Sequence, residues 1–277
     1  MANTQPFHYW GSKYNMIDEL IPLIPPHEQY LEIFAGSASL LFHKTPSKNE
    51  VINDINGDIT NFFYQLKTNY DELKKMIDGS LHSEILFKKA KKMLKEKTGT
   101  DLDRAWAWWV LANMSFSHTC STFAFGTTGC GHNTANKRDD FLRHFSDRLR
   151  EVEIFNRDAI KLLKLKDNDR TWVMADCPYV SSAQGIYAGY TIEDFENLLM
   201  ALSEMKGKFL LTSYPEPILF EYAKTNNWIV KQSQKTVLVS GKRDGTKIKI
   251  ETMTMNYNPP QLILNLFDGH AATTVPI

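Results

Sequence analysis

The 277 residues are 43% hydrophobic and 12% aromatic, enough for one large core or one core with a smaller appended module. Thirty-two Lys and Arg balance thirty-two Asp and Glu, so bulk charge neither favours nor excludes a polyanionic partner. The N-terminus (MANTQPFHYW) has no apolar signal core, no apolar run approaches membrane-spanning length, and Cys120, Cys130 and Cys177 form no disulfide framework. The expectation is a cytoplasmic protein with no membrane partner.

The first structural signal runs from Gln29 to about Asn61. Gln29–Phe34 (QYLEIF) is a short apolar run, and Ala35-Gly36-Ser37-Ala38 is small and turn-like. Leu40, Leu41 and Phe42 continue as a helix that Thr45-Pro46 stops. Glu50–Asn53 predicts a second strand, followed at once by Asp54. A strand, a small-residue turn opening a helix, and a second strand ending in an acid is how an α/β nucleotide-binding half begins.

From about Asn61 to Arg150 the strand signals fade. Helical periodicity, lysines and the tryptophans 106, 108 and 109 take over. Residues 87–97 (FKKAKKMLKEK) carry six lysines against one Glu, and 137–150 carry five Lys/Arg against three Asp. Such runs suit a phosphate backbone or, equally, a solvated helix face. Residues 115–136 are rich in Gly, Ser, Thr and Asn and predict a long loop or hairpin. The tryptophans, at neighbouring helical positions, are expected in the core of this module.

From Val152 onward strands return at Val152–Phe155, Thr171–Ala175 and Lys208–Thr212, with helices between, one over Ile192–Met205. Thr236–Ser240 and Lys247–Thr254 flank the turn residues 241–245, a hairpin pattern. The fold class is therefore α/β, a discontinuous domain over 1–60 and 151–265 with a mainly helical module inserted at 61–150 and a loose tail over 266–277.

In open α/β sheets, ligands bind outside the carboxyl ends of the strands. The predicted strand ends carry Phe34-Ala35-Gly36, Asn53-Asp54, Asn156-Arg157-Asp158 and Asp176-Cys177-Pro178-Tyr179. An Asp at one strand end is commonly a cap or turn residue. Four polar ends on one edge are a stronger signal.

The Asp176–Tyr179 segment resembles the Asp-Pro-Pro-Tyr signature of amino-group methyltransferases acting on nucleic-acid bases. Tyr9-Trp10-Gly11-Ser12-Lys13, Glu32-Ile33-Phe34-Ala35-Gly36, Ile52–Asn56, Tyr190–Phe195, Leu211–Tyr214 and Glu251–Tyr257 resemble further blocks of the Dam-like (alpha-group) DNA adenine-N6 methyltransferases, in that family's order. The similarity covers about 1–60 and 150–257. The resemblance implies a Rossmann-like sheet with a C-terminal antiparallel hairpin, S-adenosylmethionine as methyl donor, and double-stranded DNA as substrate in a bacterial or phage-infected cell. Target recognition then falls to the insert, where the Asn113–Ser117 phrase matches loosely. Ser115, Ser117, Lys137, Arg138 and Arg143 are its candidate DNA contacts.

The chemistry fits those residue types. Adenine N6 is a poor nucleophile because its lone pair is delocalised into the ring. A carboxylate and a carbonyl accepting its two hydrogens pull it towards tetrahedral geometry, the roles expected of Asp176 and the Cys177 carbonyl, with Pro178 completing the turn. Catalysis is then mostly positioning and electrostatics. The base must leave the duplex, and Tyr179 would stack on it, worth about 1–3 kcal/mol. By resemblance, Asp54 takes the cofactor's ribose hydroxyls, Asp158 its adenine amino group and Lys13 its carboxylate. Trp10 and Phe34 supply apolar walls, and Glu32, Gly36 and Asp176 complete the binding set.

Two features depart from the pattern. Position 177 is Cys where the family usually has Pro, which keeps the carbonyl and loses the fixed φ. Ala38 stands where Gly is common. His118-Thr-Cys120 and Cys130-Gly-His132 offer zinc-type ligands, but His-x-Cys is not a usual spacing, so no metal is expected. Glutamine methylation goes with Asn at the Asp176 position and cytosine N4 methylation with Ser. An RNA adenine methyltransferase and a catalytically impaired DNA-binding protein of this fold are the remaining alternatives.

Overall fold

The computed structural model describes residues 5–125, 130–180, 189–238 and 246–260. Its strands are β1 (Gln29–Glu32), β2 (Asn49–Asn53), β3 (Glu153–Phe155), β4 (Thr171–Asp176), β5 (Lys208–Ser213), β6 (Ile229–Leu238) and β7 (Thr246–Met255). Among the described residues they form a seven-stranded sheet in the order β3-β2-β1-β4-β5-β7-β6. Pairing is parallel except along β7, which runs antiparallel to both β5 and β6. The order reverses between β1 and β4, and that switch point is where an open α/β sheet takes its ligand.

The chain divides into two compact units, residues 1–21 with 34–159, and residues 22–33 with 160–277. The first holds β2, β3 and helices α1 (Ile17–Leu20), α2 (Ser39–His43), α3 (Gly57–Thr68), α4 (Tyr70–Asp78), α5 (Glu84–Glu96), α6 (Asp101–Met114), α7 (Cys130–Asp139) and α8 (His144–Leu149). Its hub is α6, opened by a Thr100/Asp103 capping box and buried from Ala105 to Met114. All three tryptophans of α6 are core residues, as expected of their spacing. Around them pack Phe7, Phe62 and Phe63, with Phe7 edge-on to Phe62 at 4.9 Å and to Trp108 at 6.0 Å.

Where a loop or hairpin was expected over 115–136, the described residues form a 3-10 turn at Phe116–His118, a bridge between Ser115 and Phe123, and then α7. The composition of α7 (CGHNTANKRD) gives no apolar stripe, so its helicity comes from outside contacts. Thr134 Oγ1 meets His82 Nδ1 at 2.8 Å, Lys137 Nζ donates to the Asn113 carbonyl at 2.9 Å, and Arg138 donates to the Asp78 carbonyl at 3.0 Å.

The second unit holds β1, β4–β7, most of α9 (Ala159–Lys166), α10 (Ile192–Ser203) and α11 (Pro217–Thr225). Thr191 and Asp194 form the capping box that starts α10. Tyr30 stacks on Trp172 at 5.3 Å, and Trp172 Nε1 donates to the Tyr257 hydroxyl, which itself donates to the Leu23 carbonyl. The hairpin expected near the C-terminus is present, but β6 begins at Ile229 rather than Thr236. The polar stretch Lys231–Lys235 hides a strand because β6 is the sheet edge and buries few side chains. Its turn at 239–245 and the tail at 266–277 lie outside the described residues. No described helix is long and apolar enough to cross a membrane.

Candidate active site

In the first unit, the chain leaving β1 makes the turn Ala35–Ala38. Gly36 (φ +49°) and Ala38 (φ +52°) are both left-handed, and the Ala38 N–H closes the turn on the Ala35 carbonyl at 2.6 Å. The strain at Ala38 is what the glycine common at this position would relieve. The Gly36 N–H donates to Asp54 Oδ2 and the Asn56 N–H to Asp54 Oδ1, each at 2.9 Å. Asp54 is 7% exposed. Burial pushes its carboxyl up to about 6, against the opposing pull of the Asn56 and Gly36 N–H groups.

The N-terminal segment is tied to the same turn. Gln5 Oε1 accepts from Ser12, Ser37 and Ser39 hydroxyls at 2.9, 3.2 and 2.7 Å. Tyr9 lies against Gly36, where an added Cβ would come within 3.1 Å of its ring. Lys13 is buried, its ammonium donating to the Gly11 carbonyl at 3.1 Å, while Trp10 and Phe34 are half-buried. Asn53 fixes the neighbouring strand end through paired bonds to Arg157, Nδ2 to its carbonyl at 3.0 Å and Oδ1 from its N–H at 2.9 Å. Asn156 Nδ2 holds the Asp54 carbonyl at 2.7 Å. Asp158 follows immediately, exposed, just before α9. Gln5 carries no motif signal, and Asn53, though inside the Ile52–Asn56 block, shows its bonds to Arg157 only in the folded chain.

The residues named as DNA contacts also lie in this unit. Ser115 is buried and its hydroxyl accepts from the Cys120 N–H, while Ser117 is exposed at φ +48°. Lys137 and Arg138 use donors on backbone carbonyls, and Arg143 pairs with Asp71 and stacks over Tyr70 at 4.5 Å. His118 donates from Nδ1 to the Ala112 carbonyl and stacks on His8 at 4.9 Å. Burial pushes the Cys120 thiol up to about 12. The side chains of Cys130 and His132 lie outside the described residues, and among those described no three His, Cys, Asp or Glu groups gather as a metal site.

In the second unit, β4 ends at Asp176 and β1 at Glu32, on either side of the switch point. Glu32 is buried and accepts from the Tyr30 hydroxyl at 2.8 Å. Asp176 is half-buried and accepts from Thr212 Oγ1 at 2.6 Å. Cys177 is 3% exposed, and Pro178 and Tyr179 are half-buried. Tyr179 lies 4.5 Å from the Tyr214 ring, and its hydroxyl reaches Glu251 at 3.5 Å. Glu251 pairs at 2.5 Å with Lys249, which hangs over both tyrosine rings at 5.8 and 5.4 Å. This unit thus offers an acceptor carboxylate beside an aromatic platform, the two elements needed to hold an amino-bearing planar base.

The sheet order and the antiparallel C-terminal hairpin are those of a methyltransferase-type α/β fold. Residues 9–243 match the family described as D12 class N6 adenine-specific DNA methyltransferase, and the chain belongs to that family. A Type II methyltransferase, M1.LlaDCHI of Lactococcus lactis subsp. cremoris, is 32% identical over 77 residues, a stretch that is 27% of this chain and 27% of that relative.

Proposed function

We propose that this chain transfers a methyl group from S-adenosylmethionine to the N6 amino group of a flipped-out adenine in double-stranded DNA. The observation that carries the proposal is the Asp176–Tyr179 segment at the switch-point strand end. Its carboxylate accepts a hydrogen bond from Thr212 of the neighbouring strand, and its tyrosine packs at 4.5 Å, tilted by 55°, against the Tyr214 ring. Asp176 and the Cys177 carbonyl accept the two amino hydrogens, and Tyr179 stacks on the base.

The donor's groups match the first unit's side chains. Asp54 is an acceptor suited to a ribose diol, because each oxygen takes one backbone N–H and retains a lone pair. Lys13 is a buried cation suited to a carboxylate, Trp10 and Phe34 are apolar walls, and Asp158 is an acceptor for an adenine amino group. Glu32, buried at the end of β1 in the second unit, is a further cofactor candidate by its place in the family motif. The bound cofactor supplies an activated methyl on a positively charged sulfur, so no protein acid is required at the leaving group. The helices between 61 and 150 serve as the DNA-recognition module, with Ser117, Lys137, Arg138 and Arg143 as its contacts, whereas Ser115, buried and bonded to the Cys120 N–H, shapes the loop instead of touching DNA.

Transfer of labelled methyl from S-adenosylmethionine to unmethylated duplex DNA tests this. Wild type is expected to label the DNA and Asp176→Ala to leave it unlabelled while still binding cofactor. Tight cofactor binding by wild type without transfer would instead identify a DNA-binding protein that has lost the reaction.

A further inference from the structure

Thr212 stands where packing alone asks for valine. It lies next to the last residue of β5, fully buried, between Asp176 of β4 and Met253 of β7 in the strand register. Paired residues share a face, so Thr212 and Asp176 continue the row begun by Leu210 and Met174, both apolar. A hydroxyl in such a row is costly unless it is bonded. Its bond goes to Asp176 Oδ1, at 2.6 Å the short distance of a hydroxyl meeting a charged acceptor. The hydroxyl next to it in the chain is occupied otherwise, since Ser213 bonds Thr252 and the Tyr214 carbonyl.

We propose that Thr212 is a positioning residue for methyl transfer. It rotates the Asp176 carboxylate into the plane from which Oδ2 meets the target amino group. The inference rests on the assignment of Asp176 above. A parallel neighbour is the right source for such a donor, because the register fixes both backbones and the threonine χ1 is stiff. Nothing in the sequence segment Leu211-Thr212-Ser213 distinguishes this hydroxyl from the one beside it; the register does.

The test compares Thr212→Val, which keeps shape and removes the donor, with Thr212→Ser, which keeps the donor and removes a methyl. Both are assayed on duplex DNA alongside wild type and Asp176→Ala, with cofactor Kd measured for each. The expected result is a fall in kcat of about 10- to 100-fold for Thr212→Val, with KM for DNA and cofactor Kd within about threefold. Thr212→Ser is expected to restore kcat to within about threefold of wild type. Thr212→Val with wild-type kcat, a loss confined to KM, or equal impairment of both variants would overturn the positioning role. Those outcomes count against Thr212 alone when Asp176→Ala is inactive. An active Asp176→Ala would remove the underlying assignment instead.

Discussion

The Gly36 N–H donates to Asp54 Oδ2 at 2.9 Å, so the turn after β1 and the acid after β2 hold each other in place. Gly36 makes this possible with a left-handed φ of +49° and no side chain to meet Tyr9. Gly36→Ala adds both a φ penalty of about 1–2 kcal/mol and a Cβ that pushes on the Tyr9 ring. The variant should melt at lower temperature and bind S-adenosylmethionine at least tenfold more weakly. Calorimetric melting and titration of the same sample check both.

Asp54 gives the cofactor site a pH dependence of definite sign. Its carboxyl in the folded chain sits at about 6, above the ordinary 3.8, so folding favours the protonated form. The stabilisation is therefore present at low pH and is lost as pH rises through about 6. In the proposed ribose-binding role Asp54 acts in its ionised form, the better acceptor for hydroxyls, so cofactor affinity should run the other way. Affinity should rise between pH 5 and pH 7.5, and Asp54→Asn should flatten that part of the profile. An affinity that is level across this range in wild type would count against the ribose role.

Glu50 follows the opposite rule. It is buried beside Lys44 at 2.5 Å and in a two-pronged pair with Arg148. Burial pushes its carboxyl up, but the bonds from Arg148 and Lys44 outweigh that and hold it below its ordinary value. Its stabilisation is present at neutral pH and is lost as pH falls through the lowered value. Glu50→Ala removes the carboxylate from buried Lys44 and half-buried Arg148 and should cost about 3–5 kcal/mol in denaturant unfolding at pH 7.

Cys177 should contribute its carbonyl and not its thiol. Cys177→Ala keeps the backbone group, so turnover within about threefold of wild type is expected, where losing an essential nucleophile costs many orders of magnitude. Resistance of wild-type activity to mild alkylation is the companion observation, since the thiol is 3% exposed.

On α5 the side chains of Phe87, Ala90 and Leu94 face the core, which leaves Lys88, Lys92 and Lys95 exposed along one stripe. If DNA phosphates run along that stripe, replacing the three with glutamine should lower DNA affinity. The slope of log K against log salt should shrink by roughly 2–3. An unchanged slope would assign the stripe to solvent.

The strand ends were legible because three short apolar runs stop at or just before an acid and a fourth at a small-residue turn, a pattern set by local hydrophobicity. The edge strand β6 was only half legible, since the polar stretch Lys231–Lys235 has no alternating apolar residues. The helix over Cys130–Asp139 was invisible, because it is held by His82, Asn113 and Asp78 rather than by its own composition. The partners of Asp176 and Asp54 could not be read either. That Thr212 meets Asp176, or that Gln5 gathers the Ser37 and Ser39 hydroxyls, depends on register and on chain separations of 32 to 36 residues.

The most direct test of the account is the identity of the methylated nucleoside. Duplex DNA lacking methylation is incubated with the protein and S-adenosylmethionine, digested to nucleosides, and resolved by chromatography and mass. The account predicts N6-methyldeoxyadenosine, formed by wild type and absent with Asp176→Ala. N4-methyldeoxycytidine in its place, or methyl found on RNA or protein and not on DNA, would contradict it.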